Sequence, residues 1–123
     1  MTINEAISRY MQMRPSTKLT RDMMIDHLSR LDHLVKANVI DTHEGGGGEF
    51  KGYSVETPLD TQLLIDEHFA DIYSDWLDIH NELLVKDYNK YNNACAIYDK
   101  KYQEFEAYYN RTHMPVQTKR KYF

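Results

Sequence analysis

Residues 88–109 read YNKYNNACAIYDKKYQEFEAYY. Tyr88, Tyr91, Cys95, Tyr98, Tyr102, Phe105 and Tyr109 recur at alternating steps of three and four, which lays them along one helical face. The face is built mostly of tyrosine, where a dry core would use leucine or isoleucine. A tyrosine brings a large apolar ring and a hydroxyl that needs a partner when buried. Such a seam suits a surface whose edge stays wet or meets polar groups, as protein interfaces do. Tyr88, Tyr91, Tyr98, Tyr102 and Tyr109 are therefore candidates for contact with a second copy. The plainer alternative is that the rings pack on the preceding helix and the hydroxyls protrude at its rim.

Working back from this seam, Val85, Lys86 and Asp87 form a link so short that the preceding helix must pack antiparallel to it. That third helix is expected from about Asp66 to Leu84, with Phe69, Ile72, Tyr73, Trp76, His80, Leu83 and Leu84 on one side. Further upstream, Thr20 caps a second helix running to about Ala37, with Met24, Leu28, Leu31, Leu34 and Val35 inward. Thr2 and Glu5 form a capping box for a first helix that Pro15 ends. Its inward residues are Ile3, Ala6, Ile7, Tyr10 and Met11 or Met13. All five glycines fall in GGGGEFKG, 45–52, inside a long connection over 41–61. Phe50, Tyr53 and Val55 permit a short extended piece there, though not a full strand. The expected fold is all-α: a four-helix domain over 1–111, a glycine-rich loop between helices two and three, and an extended basic arm over 112–123.

With 123 residues the chain is one domain, and its 41% hydrophobic and 28% charged composition is that of a globular protein. No apolar run approaches the length of a membrane span, and MTINEAISRY lacks the apolar centre of an export signal. A lone cysteine excludes an internal disulfide and a cysteine-rich zinc site, and accords with a reducing compartment. The last thirteen residues hold Arg111, Lys119, Arg120 and Lys121 and no acid. The other 110 hold eleven basic and nineteen acidic side chains. The body therefore repels nucleic acid and membranes, while the arm ends in basic residues followed by Tyr122 and Phe123. Either this is a frayed terminus, or basic residues steer it and the aromatics anchor it on another subunit; His113 belongs to the same stretch.

Asp71, Asp75, Asp78 and Glu82 form an acidic stripe on the third helix, with no lysine or arginine between 52 and 85 to neutralise it. It reads either as a solvated outer face or as a negative wall, facing a basic partner or a passage through which DNA must slide. Carboxylates facing water titrate alike and make no acid–base pair. Six histidines offer no pair at a four-residue step and no HExxH, so no metal or other cofactor is expected. The GGGG run lacks the Lys-Ser/Thr of a phosphate loop, and no serine sits in a nucleophile elbow. No enzyme is expected.

The loop beginning THEG (42–45), the run LDTQLLIDEHFADIYSDWL (59–77), YNKYNN (88–93) and YYNRTHMP (108–115) resemble the head–tail connector, or adaptor, proteins of tailed bacteriophages. The chain departs from that family's pattern at Val85 to Asp87 and in its glycine run. The resemblance covers nearly the whole chain and implies a structural virion protein, assembled in the host cytoplasm into the neck. Its copies would form a ring, twelvefold in the family, beneath the portal protein. The ring would join the head to a stopper or tail-completion protein and line a channel for non-specific passage of double-stranded DNA, with no membrane partner. The alternative is a small helical regulatory protein that binds a partner through its basic arm.

Overall fold

The computed structural model describes residues 1–114. Four helices make up the fold: α1 (Ile3–Met13), α2 (Arg21–Asn38), α3 (Asp71–Leu84) and α4 (Tyr88–Thr112). Short 3-10 turns at Ile40–Thr42 and Glu67–Phe69 punctuate the connection between α2 and α3. The described residues contain no strand, and Thr2 and Gln62 form an isolated bridge. No strand forms over residues 50–55, in line with the sequence. Tyr53 packs on the core while Val55 faces solvent.

The caps are local chemistry. Thr2 accepts from the Glu5 amide at 3.1 Å, and Glu5 Oε1 accepts from the Thr2 amide at 2.8 Å. Thr20 accepts from the Met23 amide at 3.2 Å, and Asp87 from the Lys90 amide at 3.1 Å. The next free donors of α1 find tertiary partners: the Ile3 and Asn4 amides donate to the Thr61 and Leu59 carbonyls. The α2–α3 connection is thereby bound along the start of the chain.

At the centre of the bundle, α3 packs on α1, α2 and α4. The core joins Ile3, Ile7 and Tyr10 of α1, Met24, Leu28, Leu31 and Val35 of α2, and Ile72, Tyr73 and Leu77 of α3. Phe105 of α4 and Leu63 and Ile65 of the connection complete it. Four inward assignments are corrected. Leu34, Leu83 and Leu84 are exposed, and both Met11 and Met13 face out. Leu34 gives way to Asp32, and in the last turn of α3 Asn81 and Glu82 turn inward in place of Leu83 and Leu84. α3 also starts later than expected, because residues 67–69 coil more tightly before it.

With 25 residues against 14, α4 outruns its antiparallel partner α3. The connection roofs its second half: Phe69 packs on Phe105 and Tyr108, and His43 on Tyr109. The long loop is a structural layer of the fold.

Candidate functional site

The tyrosine seam divides along the length of α4. Tyr88 is exposed and Tyr91 half-exposed, whereas Tyr98, Tyr102 and Tyr109 lie partly buried against the chain's own core. Tyr98 meets Trp76 and stacks on Tyr102. The wet edge expected of these residues fails at Tyr102, whose hydroxyl is buried without a hydrogen-bond partner. Burial raises the Tyr102 phenol to about 12. Only Tyr88 and Tyr91 leave the seam turned outward.

The acidic stripe is not the solvated face expected from the sequence. Asp71 remains exposed, 3.4 Å from Arg9. Lys101 of α4 lies 3.0 Å from Asp75 without hydrogen-bond alignment, and burial pushes the Asp75 carboxyl up. Asp78 accepts from Arg14 Nε at 2.9 Å, from Arg14 Nη2 at 3.1 Å and from the Tyr10 hydroxyl at 3.2 Å. Glu82 is buried and accepts from Asn81 Nδ2 at 3.1 Å. These carboxyls do not share one environment, so the expectation of uniform titration fails at Asp75. Their cations come from α1's end and from α4, far away in sequence.

The stretches THEG and YYNRTHM meet in space. His43 is buried, with Nδ1 2.6 Å from the Val39 carbonyl and Nε2 2.8 Å from the Asn110 carboxamide. Both contacts are to oxygens, the Val39 carbonyl and Asn110 Oδ1, so the ring is the donor at whichever nitrogen carries a proton. His43 also packs edge-on against Tyr109, which stacks on His113 at 3.7 Å. The Glu44 amide donates to the Met114 carbonyl at 2.7 Å. This clasp closes the C-terminal end of α4 onto the loop. Of the arm residues singled out, Arg111 is exposed at the end of α4 and His113 belongs to the clasp. Lys119, Arg120, Lys121, Tyr122 and Phe123 lie outside the described residues. The helix continues through Thr112, and His113 and Met114 still belong to the body.

Sequence reasoning missed two clusters. Asp32 is fully buried, accepting from Tyr53 and Tyr73 hydroxyls at 2.5 and 2.7 Å and from the Leu64 amide at 3.0 Å. Its place four residues after Leu28 and three before Val35 was the available signal. His27 and His80 stack at 4.0 Å between α2 and α3, edged by Trp76, whose Nε1 donates to the His27 carbonyl. Burial holds both imidazoles below their ordinary pKa, His80 at about 4.

Among the described residues no group of three or more His, Cys, Asp or Glu is placed to hold a metal, and no helix is long and apolar enough to cross a membrane. The arrangement offers contact surfaces: a clasped arm, two outward tyrosines and a polar cleft between α3 and α4. No family model, curated protein or solved structure matches this chain.

Proposed function

We propose that this chain is a head–tail connector subunit of a tailed bacteriophage. Copies form a ring beneath the portal, twelvefold by the resemblance, and present a platform to a stopper or tail-completion protein around the path of the exiting DNA. The observation that supports this best is the clasp. Two of the four stretches that bear the resemblance, 42–45 and 108–115, lie more than sixty residues apart and meet through His43, Asn110 and Met114. A subunit that offers an arm to a neighbour or a portal needs a fixed point of departure for it.

The acidic passage wall narrows in this reading to Asp71, which stays exposed beside Arg9, since Asp75 and Asp78 are largely buried against Lys101 and Arg14 and Glu82 is buried. Ring contacts narrow likewise to Tyr88, Tyr91 and the last nine residues. The test is co-purification with a portal assembly, viewed by negative-stain microscopy. An added ring on the portal is expected, lost on removal of residues 115–123 while helical circular dichroism is unchanged. A full chain that leaves the portal bare overturns the proposal and favours a regulatory partner-binding protein. Docking that survives the truncation removes the arm from it.

A further inference from the structure

A cleft of about 350 Å3 lies between the segment after α1, the end of α3 and the start of α4. Its charges are paired, with one exception. Arg14 holds Asp78 through two hydrogen bonds, and Lys90 lies 3.9 Å from Asp87 at the rim. Glu82 lines the cleft and is only 8% exposed. It accepts one hydrogen bond, from Asn81 Nδ2. Asn81 is itself fixed, because its Oδ1 accepts from the Thr17 hydroxyl and the Lys18 amide and so turns the NH2 toward Glu82. Among the described residues no lysine, arginine or histidine comes within 4.0 Å of the Glu82 carboxylate. One carboxylate oxygen is held by a neutral donor and the other faces the cleft, where it can accept from a cation delivered there. Ala94 and Ile97 line the same cleft and offer apolar contact to the methylene stem of such a cation.

We propose that this cleft receives a lysine or arginine side chain from residues 115–123 of a neighbouring copy. That segment, PVQTKRKYF, holds Lys119, Arg120 and Lys121 and no acid, whereas the other 114 residues hold twelve basic and nineteen acidic side chains. The half-exposed Ile97 beside the carboxylate suits the aromatic residues that follow. The chain's own arm would reach the cleft only by running fully extended back along α4. From Asn93 to Thr112 the helix rises about 29 Å at ~1.5 Å per residue. Met114 is tied to Glu44, and the seven residues from there to Lys121 span at most about 25 Å when extended. A contact of this kind, arm of one copy into cleft of the next, is head-to-tail and generates a ring when the rotation closes. The inference rests on the ring proposed above in needing adjacent copies, and it names what joins them.

A fluorescent peptide of residues 115–123 tests it, titrated into full-length protein carrying Lys119→Glu, Arg120→Glu and Lys121→Glu. That receptor keeps the cleft and removes competition from its own arm. Saturable binding is expected, weakened about tenfold or more by adding Glu82→Gln, the equivalent of roughly 1.4 kcal/mol. Binding that is absent, or indifferent to Glu82→Gln, overturns the proposal. Should Glu82→Gln not fold, Asn93→Arg on the exposed side of α4 places a resident cation at the cleft and must block the peptide; unchanged binding there also overturns it. In a chain carrying Asn93→Cys, Tyr122→Cys and Cys95→Ser, oxidation is expected to link different chains, and a link within one chain refutes the neighbour assignment. No portal enters these measurements, so their failure and a failure to join a portal are read separately.

Discussion

Among the described residues Asp32 is an acid with no ion pair, held by three donors from two parts of the chain. Tyr53 and Leu64 bring the connection to it, and Tyr73 brings α3. Tyr73 in turn accepts from the Ile65 amide at 2.8 Å, so the network is closed and fully satisfied. Burial raises the Asp32 carboxyl, and the hydrogen bonds from both tyrosines and Leu64 oppose that rise. Asp32→Ala leaves two hydroxyls and an amide without an acceptor. A loss of about 3 kcal/mol in urea unfolding is expected, since each orphaned buried group costs roughly 1–3 kcal/mol and water rescues part of it. In the Asp32→Ala background, Tyr73→Phe should cost less than it does in the native chain, because it then removes an orphan. Equal costs in both backgrounds would show that Asp32 does not organise the loop. Gly52 serves the same joint. Its φ of 81° favours glycine, and a Cβ there would sit 2.6 Å from His33 Nε2 and 2.7 Å from Ser29 Oγ, displacing both.

The turn between α3 and α4 shows how an element boundary is bought with strain. Lys86 holds a φ of 62°, the left-handed position where helices commonly end in glycine. The Val85, Lys86 and Asp87 amides all return to carbonyls of the last turn of α3, so the geometry is fixed whatever the side chain. Lys86→Gly is expected to raise stability by about 0.5–1 kcal/mol, with the left-handed penalty relieved and part of the gain lost to unfolded-state freedom. A thermal midpoint that falls on this substitution would contradict the strain. The four helices were legible because their signals are local: caps at Thr2 and Thr20, a three-and-four period, and a short link that forces antiparallel packing. The ends of the inward faces were not. Leu83 and Leu84 keep the period of α3, but they stay exposed along a shallow groove beside Leu19 and Met23.

Across the whole molecule, what could not be read were pairings between distant residues. Arg14 meets Asp78 across 64 positions, and His43 meets Asn110 across 67. No window along the chain contains both partners, so the acidic stripe looked free. Global stability should report the histidine stack between α2 and α3. Native His80 resists protonation down to about 4, while the unfolded chain takes up that proton near 6.5. Acid therefore favours unfolding, and stability falls as pH drops through that window, by at most about 1.4 kcal/mol per pH unit for one proton. Asp32, raised in the native state, acts in the opposite sense and stabilises only as acid protonates it. Urea midpoints measured from pH 7 to 4 should decline, and His80→Phe should flatten the decline. An unchanged slope in that variant would remove the stack as its source.

The bond between Glu44 and Met114 has a mechanical reading. A tug on whatever follows Met114 does not first peel the last turn of α4; it loads the backbone at Glu44 and, through the imidazole of His43, the carbonyl of Val39 at the end of α2. Tension at the terminus is thus shared by two helices that are neighbours neither in sequence nor in the bundle's main packing, and the chain is anchored as a rope is cleated, across two posts.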